Sequence, residues 1–182
     1  MRLYLRPALF IALGSFGGLE AQQEGVVPRW EIVEIAQRLD ESAHDIRKIL
    51  SQVRPKEWVQ QSAPDAYIGQ HNALRSDLSS LSLSAQAMQR KPEKLSIAID
   101  TYLWLDRVGS MLRSLTAAVR KYQNPALGDL LETAGDRAAA SENSLKPYLR
   151  QLAVEREAEL EISHSEAQRC RDTIVRRPRS RK

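Results

Sequence analysis

Residues 32–53 carry the feature that most constrains this chain: Ile32, Ala36, Leu39, Ala43, Ile46, Leu50 and Val53 follow one another at intervals of four, three, four, three, four and three. Only a helix puts such positions on one face, because its 3.6-residue turn is bracketed by steps of three and four, whereas a strand needs steps of two. A helix greasy along one stripe has to bury that stripe against other elements. The first segment therefore reads as a helix from about Pro28 to Val53, about 39 Å long at 1.5 Å per residue, with Pro28 in its first turn and Pro55 ending it.

Three more stripes of the same kind follow. After a connection containing Trp58, Ser62 and Asp65 offer a capping box, and a second helix runs to about Arg90 through Tyr67, His71, Leu74, Leu78, Leu81, Ala85 and Met88. Pro92 and Glu93 open a third, reaching about Tyr122 through Leu95, Ala98, Tyr102, Leu105, Leu112 and Val119, with Ile99, Val108 and Leu115 widening the stripe. Asn124 and Pro125 form a cap and a first-turn proline for the fourth, through Leu127, Leu131, Ala134, Ala138, Ser141, Leu145, Tyr148 and Leu152. Pro147 lies inside it, where its ring opposes the carbonyl of Asn143. A kink or break near Ser144 is expected, and the phase of the stripe favours the kink. Beyond Leu152 the pattern fades into Glu155, Glu157, Glu159 and Glu161, a stretch that reads as a helix extending past the core and fraying into the arginine tail.

Four helices of similar length with short connections favour antiparallel neighbours. The expected fold is all-α, an up-and-down antiparallel four-helix bundle with an extended, partly disordered basic C-terminal tail. The layout resembles exported four-helix bundles in general, among them periplasmic stress chaperones and soluble b-type cytochromes. The motifs characteristic of those groups are absent, so the resemblance implies architecture alone.

The two ends are unlike the body. Arg2 and Arg6 precede an uncharged, mostly apolar run from Pro7 to Leu19, and Ala21 supplies a small residue for cleavage. That pattern is an export signal over residues 1–21, too short to span a bilayer, and no later stretch is apolar enough to do so. The domains expected are thus a signal peptide over 1–21, a helical domain over 22–168 and a basic tail over 169–182. The tail holds seven basic residues against Asp172, while the net charge of the whole chain is only +4, so the body is mildly acidic. Cys170, the sole cysteine, excludes an intrachain disulfide and leaves helix packing to supply stability; it is an incidental tail thiol or a link between chains.

Motifs that would carry chemistry are weak. Glu41 with His44 and Glu161 with His164 have the Glu-x-x-His spacing of di-metal carboxylate bundles, but neither pair falls on a core stripe. Asp77 flanks the second stripe and Asp106 the third. A single cysteine rules out covalent haem attachment through Cys-x-x-Cys-His. His71 with Met88 or Met111 offers axial ligands for free haem, and its plainer role is a core histidine bonded to a neighbouring helix. Neither a nucleophile elbow nor a phosphate-binding glycine loop is present. No catalytic, cofactor or metal residues are therefore assigned. The chain reads as an exported, non-enzymatic interaction or structural protein of the cell envelope, with a metal- or haem-binding bundle using His71 or His44 as the alternative.

Candidate contacts are Trp104, at the edge of the third stripe, and Arg176, Arg177, Arg179 and Arg181 in the tail. They would meet an envelope protein or an anionic surface. Trp30 and Trp58, near helix ends, would cap the core of the bundle. No aromatic residues interleave with the arginines, so nucleic acid is not expected as a partner. The same heptads could pair between chains, which keeps a homo-oligomer open.

Overall fold

The computed structural model describes residues 27–176, all of whose regular structure is helical. Five helices follow one another: α1 (Arg29–Leu50), α2 (Pro55–Gln60), α3 (Ala66–Arg90), α4 (Leu95–Tyr122) and α5 (Pro125–Arg176). The four long ones pack α1 on α3, α3 on α4, α4 on α5 and α5 back on α1. Pairs of named residues give their directions. Asp40 of α1 meets Ser82 and Gln86 of α3, and Leu50, later in α1, meets His71, earlier in α3. Asp77 and Ser84 of α3 meet Arg107 and Thr101 of α4. Arg120 and Tyr102 of α4 meet Asp129 and Lys146 of α5, and Val27, just before α1, and Asp45 of α1 meet Gln151 and Arg137 of α5. In each pair, moving forward on one helix moves backward on its neighbour.

The heptad stripes become the core. All seven stripe residues of α1 and its C-terminal turn are buried, as are all eight of α5 from Leu127 to Leu152. Six of seven in the α3 stripe are buried, and Tyr67 is half-buried against the core. The α4 stripe is wider than the heptad, taking in Val108, Leu115 and also Thr101, Thr116 and Ala118, while Ile99 faces out. Each fully buried Leu or Ile contributes roughly 1.5–3 kcal/mol relative to an exposed one, which lets the chain hold together without a disulfide.

Prolines and caps depart from expectation at several points. Pro28 is the N-cap of α1, not a helical residue, and its carbonyl accepts from the N–H groups of Glu31 and Ile32. Pro55 does not merely end α1; it starts the one-and-a-half-turn α2, where its missing N–H is harmless. The Ser62–Asp65 capping box does not form. Ser62 instead takes the left-handed conformation, at φ 71°, one residue beyond the C-cap of α2. Its N–H donates to the Val59 carbonyl, and the Ala63 N–H donates to Trp58. This pair of bonds is a Schellman closure, normally built on glycine. Pro92 precedes α4 by a turn instead of opening it. Asn124 caps α5 as expected, its Oδ1 accepting from the Ala126 N–H at 2.8 Å.

Trp58 plugs the end of the core nearest α2. Its ring lies 6.0 Å from that of Tyr67, edge-on, and 6.2 Å from that of Tyr122, stacked. Trp30, expected to close the other end, is instead 64% exposed. That end is closed by Tyr148, whose hydroxyl donates to the Pro92 carbonyl at 2.6 Å.

The last helix extends past the core as expected but reaches further. α5 runs unbroken through Pro147 to Arg176, so there is no break near Ser144. Residues 169–176, expected as the start of a disordered tail, are its final turns. The signal segment 1–21 and Arg177, Arg179 and Arg181 lie outside the described residues.

Candidate interaction surface

From Val154 onward every described side chain of α5 except Arg156 is exposed. Residues 153–176 project past the core as a helix about 36 Å long at 1.5 Å per residue. A cluster of polar contacts fixes its departure from the bundle. The Val27 N–H donates to Gln151 Oε1 at 2.9 Å, the Arg156 guanidinium donates to the Glu93 carbonyl at 3.0 Å and also pairs with Glu159, and Arg29 pairs with the Glu93 carboxylate at 2.7 Å. Glu93 is held below the usual carboxylate range by its own backbone N–H first and then by Arg29. Tyr148, beneath this cluster, has its phenol pushed up by burial.

Beyond that clamp the helix has nothing to lean on. Leu160, Ile162, Ile174 and Val175 are all more than half exposed. Glu155 and Glu159, and Glu157 and Glu161, are like-charged pairs four residues apart, a spacing that weakens a lone helix. Past Arg156–Glu159 no ion pair forms along the projection among the described residues. In proteins most helical stability comes from packing of one face, and beyond Arg156 this segment packs against none of the described residues.

The other sequence-derived candidates are dispersed. Trp104 is half-buried against the core edge, with the Arg107 guanidinium 5.8 Å from its ring centre. His44 is exposed on α1 and His164 on the projection, while His71 is buried with Nε2 3.2 Å from the Leu50 carbonyl oxygen. Three histidines on three helices do not converge, and no group of three His, Cys, Asp or Glu gathers at metal-binding distance among the described residues. Both Glu41 and Glu161 face out. Among the described residues no helix is long and apolar enough to cross a membrane.

Two features go beyond the pattern, which placed Asp77 only at the flank of the α3 stripe. Asp77 is buried on α3 and takes a hydrogen bond from Arg107 Nε at 2.7 Å. Its position one residue before Leu78 places it at the margin of the stripe, and that is the only sign of it in the sequence. The second is a groove of about 310 Å³ between α4 and α5, floored by Leu105, Val108, Leu112 and Leu131. Glycines permit this close approach: a Cβ on Gly135 would lie 2.8 Å from Leu112 Cδ2, and one on Gly128 would collide with the Arg120 stem. Thr116 lines the groove, and its hydroxyl is buried without a hydrogen-bond partner among the described residues. Asp106, Asp136 and Arg113 stand at the rim, so charges of both signs border an apolar floor.

Comparison of the chain with protein-family models, with curated proteins and with solved structures finds no match in any of the three.

Proposed function

We propose that this chain is an exported, non-enzymatic interaction protein of the cell envelope. It is an up-and-down antiparallel four-helix bundle that holds the free end of α5 out as its binding element. The observation that carries the reading is the projection itself. Residues 153–176 are helical, and from Val154 on all the described side chains but Arg156 are exposed; a helix in that condition gains order from a partner. The bundle serves as the rigid base, and the contacts of Arg29, Glu93 and Arg156 with their neighbours set the angle at which the helix leaves it. The signal-like N-terminus supports an envelope or extracellular destination. The arginines at the far end, Arg176, Arg177, Arg179 and Arg181, add an electrostatic contact at the tip.

The test compares affinity capture from an envelope fraction by the full mature chain and by a chain lacking residues 155–182. Partners lost with the deletion support the reading, and equal recovery removes the helix from it. Retention on anionic vesicles but not on envelope proteins would assign the tip to a membrane surface instead.

A further inference from the structure

We propose that the free end of α5 pairs with the same segment of a second copy of this chain, antiparallel, in a register centred near residue 165. The proposal rests on the projecting helix being the binding element and names its occupant.

The seam is visible in the projection. Ala153, Leu160, Ala167 and Ile174 recur every seven residues, and Ser163 and Cys170 fall three residues after Leu160 and Ala167. Steps of three and four repeated over heptads are the pattern of a helix that packs along one seam against another helix. These residues are exposed from Leu160 onward, so the seam is open in the single chain. Arg156 closes it at the bundle end, its guanidinium already held by the Glu93 carbonyl and Glu159.

Charge decides the direction. The first half of the projection carries Glu155, Glu157, Glu159 and Glu161 against Arg156, and the second half carries Arg169, Arg171 and Arg176 against Glu166 and Asp172, so the first half is net negative and the second net positive. Within one helix these groups cannot neutralise one another, because Glu161 and Arg169 are eight residues, about 12 Å, apart along the axis. A parallel pair would set the glutamates against glutamates and the arginines against arginines, which disfavours that arrangement. An antiparallel pair centred near residue 165 brings Glu161 level with Arg169 of the second copy. Glu157 and Arg171, both flanking the seam on the same side, then face each other between copies. The seam positions interlock in the same register, Leu160 against Cys170, Ala167 against Ser163, and Ile174 against the aliphatic stem of Arg156. Because only Leu160 and Ile174 are large, the association is expected to be reversible and concentration-dependent.

Cys170 makes the geometry testable. In the antiparallel register the two Cys170 residues are ten residue levels apart, about 15 Å along the axis, beyond the reach of a disulfide. In a parallel pair they would be adjacent. The experiment uses the full mature chain and two variants. Sedimentation equilibrium of the native chain is expected to show a monomer–dimer equilibrium. Under mild oxidation Leu160→Cys is expected to form a reducible covalent dimer about tenfold faster than the native chain, because its new thiol faces Cys170 of the second copy at high effective concentration. Glu157→Arg is expected to weaken the dimer, and Glu157→Arg with Arg171→Glu to restore it. A chain that stays monomeric at all concentrations, or a native chain that cross-links as fast as the variant, overturns the proposal. The monomeric outcome leaves the envelope-capture result standing on its own, so failure of the self-pairing and failure of the interaction reading are told apart.

Discussion

Gln123 Oε1 lies 3.2 Å from the indole Nε1 of Trp58 and 2.9 Å from the backbone N–H of Arg54, accepting from both, while its Nε2 donates to the Gln52 carbonyl at 2.8 Å. One amide at the end of α4 thereby ties down the α1–α2 connection and supplies the indole N–H of the buried tryptophan with an acceptor. Gln123→Ala is expected to cost about 1–3 kcal/mol, because an indole N–H left buried without an acceptor bears its full desolvation penalty. Urea unfolding followed by tryptophan emission reads the loss, and an unchanged midpoint would show that the amide contributes nothing.

His71 performs a similar service at the end of α1. Its Nε2 shares the Leu50 carbonyl with the Val53 N–H, so the last carbonyl of α1 is satisfied twice. His71→Ala should lower stability by about 1–2 kcal/mol, while His71→Gln, which keeps a donor of comparable reach, should recover part of it. A haem role would appear as a Soret band lost in both variants; a structural role leaves both spectra equal and separates their denaturation midpoints.

Asp77 and Arg107 form an unequal pair, the carboxylate buried and the guanidinium 59% exposed. Truncating the exposed partner strands the buried one. Arg107→Ala is therefore expected to cost about 1–3 kcal/mol, more than a surface pair is worth, and Asp77→Ala in the same chain to return some of that. Chemical denaturation of the four members of this double-mutant cycle measures the coupling; strict additivity would mean the pair is inert.

Two helical glycines should respond with opposite sign. At Gly69 nothing lies within 4 Å of an added Cβ, so Gly69→Ala is expected to raise stability by about 0.5–1 kcal/mol through helix propensity. At Gly128 the added methyl would collide with Arg120 Cγ, and Arg120 is held between Asp129 and Glu132. Gly128→Ala should cost about 1–3 kcal/mol as α4 and α5 are forced apart. Thermal melts of the two variants decide it.

The acid limb of the stability curve has identifiable contributors. Hydrogen bonding to Arg120 holds the Glu132 carboxyl below its ordinary value of 4.5, and its own backbone N–H followed by Arg29 does the same for Glu93. A lowered folded-state pKa gives stability that is present above the unfolded value and is lost as pH falls through the folded one. Stability should thus drop from about pH 4.5 downward, and Glu132→Gln should flatten that drop while leaving its steepness near neutral pH unchanged. Denaturation midpoints measured across this range test the sign.

Which residues enter the core was legible because burial on a helix follows local periodicity. Every stripe residue of α1 and α5 is inside, and Asn124 caps α5 where its place before Pro125 implied. Loop chemistry was less legible. Ser62 matched a capping motif but takes a left-handed closure for α2, since the burial of Trp58 decides where that short helix stops.

What the sequence alone determined is the helical class and the inward face of each long helix, since both depend on intervals of three and four residues within one segment. Tertiary structure decided what depends on distant partners. It buried Trp58 and left Trp30 in solvent. It gave His71 a carbonyl at 3.2 Å and no metal-ligating neighbours among the described residues. It kept α5 helical as far as Arg176, through turns expected to belong to the tail. The reason is physical: periodicity says which side of a helix is apolar, but only the lengths and ends of its neighbours say how much of that side they cover.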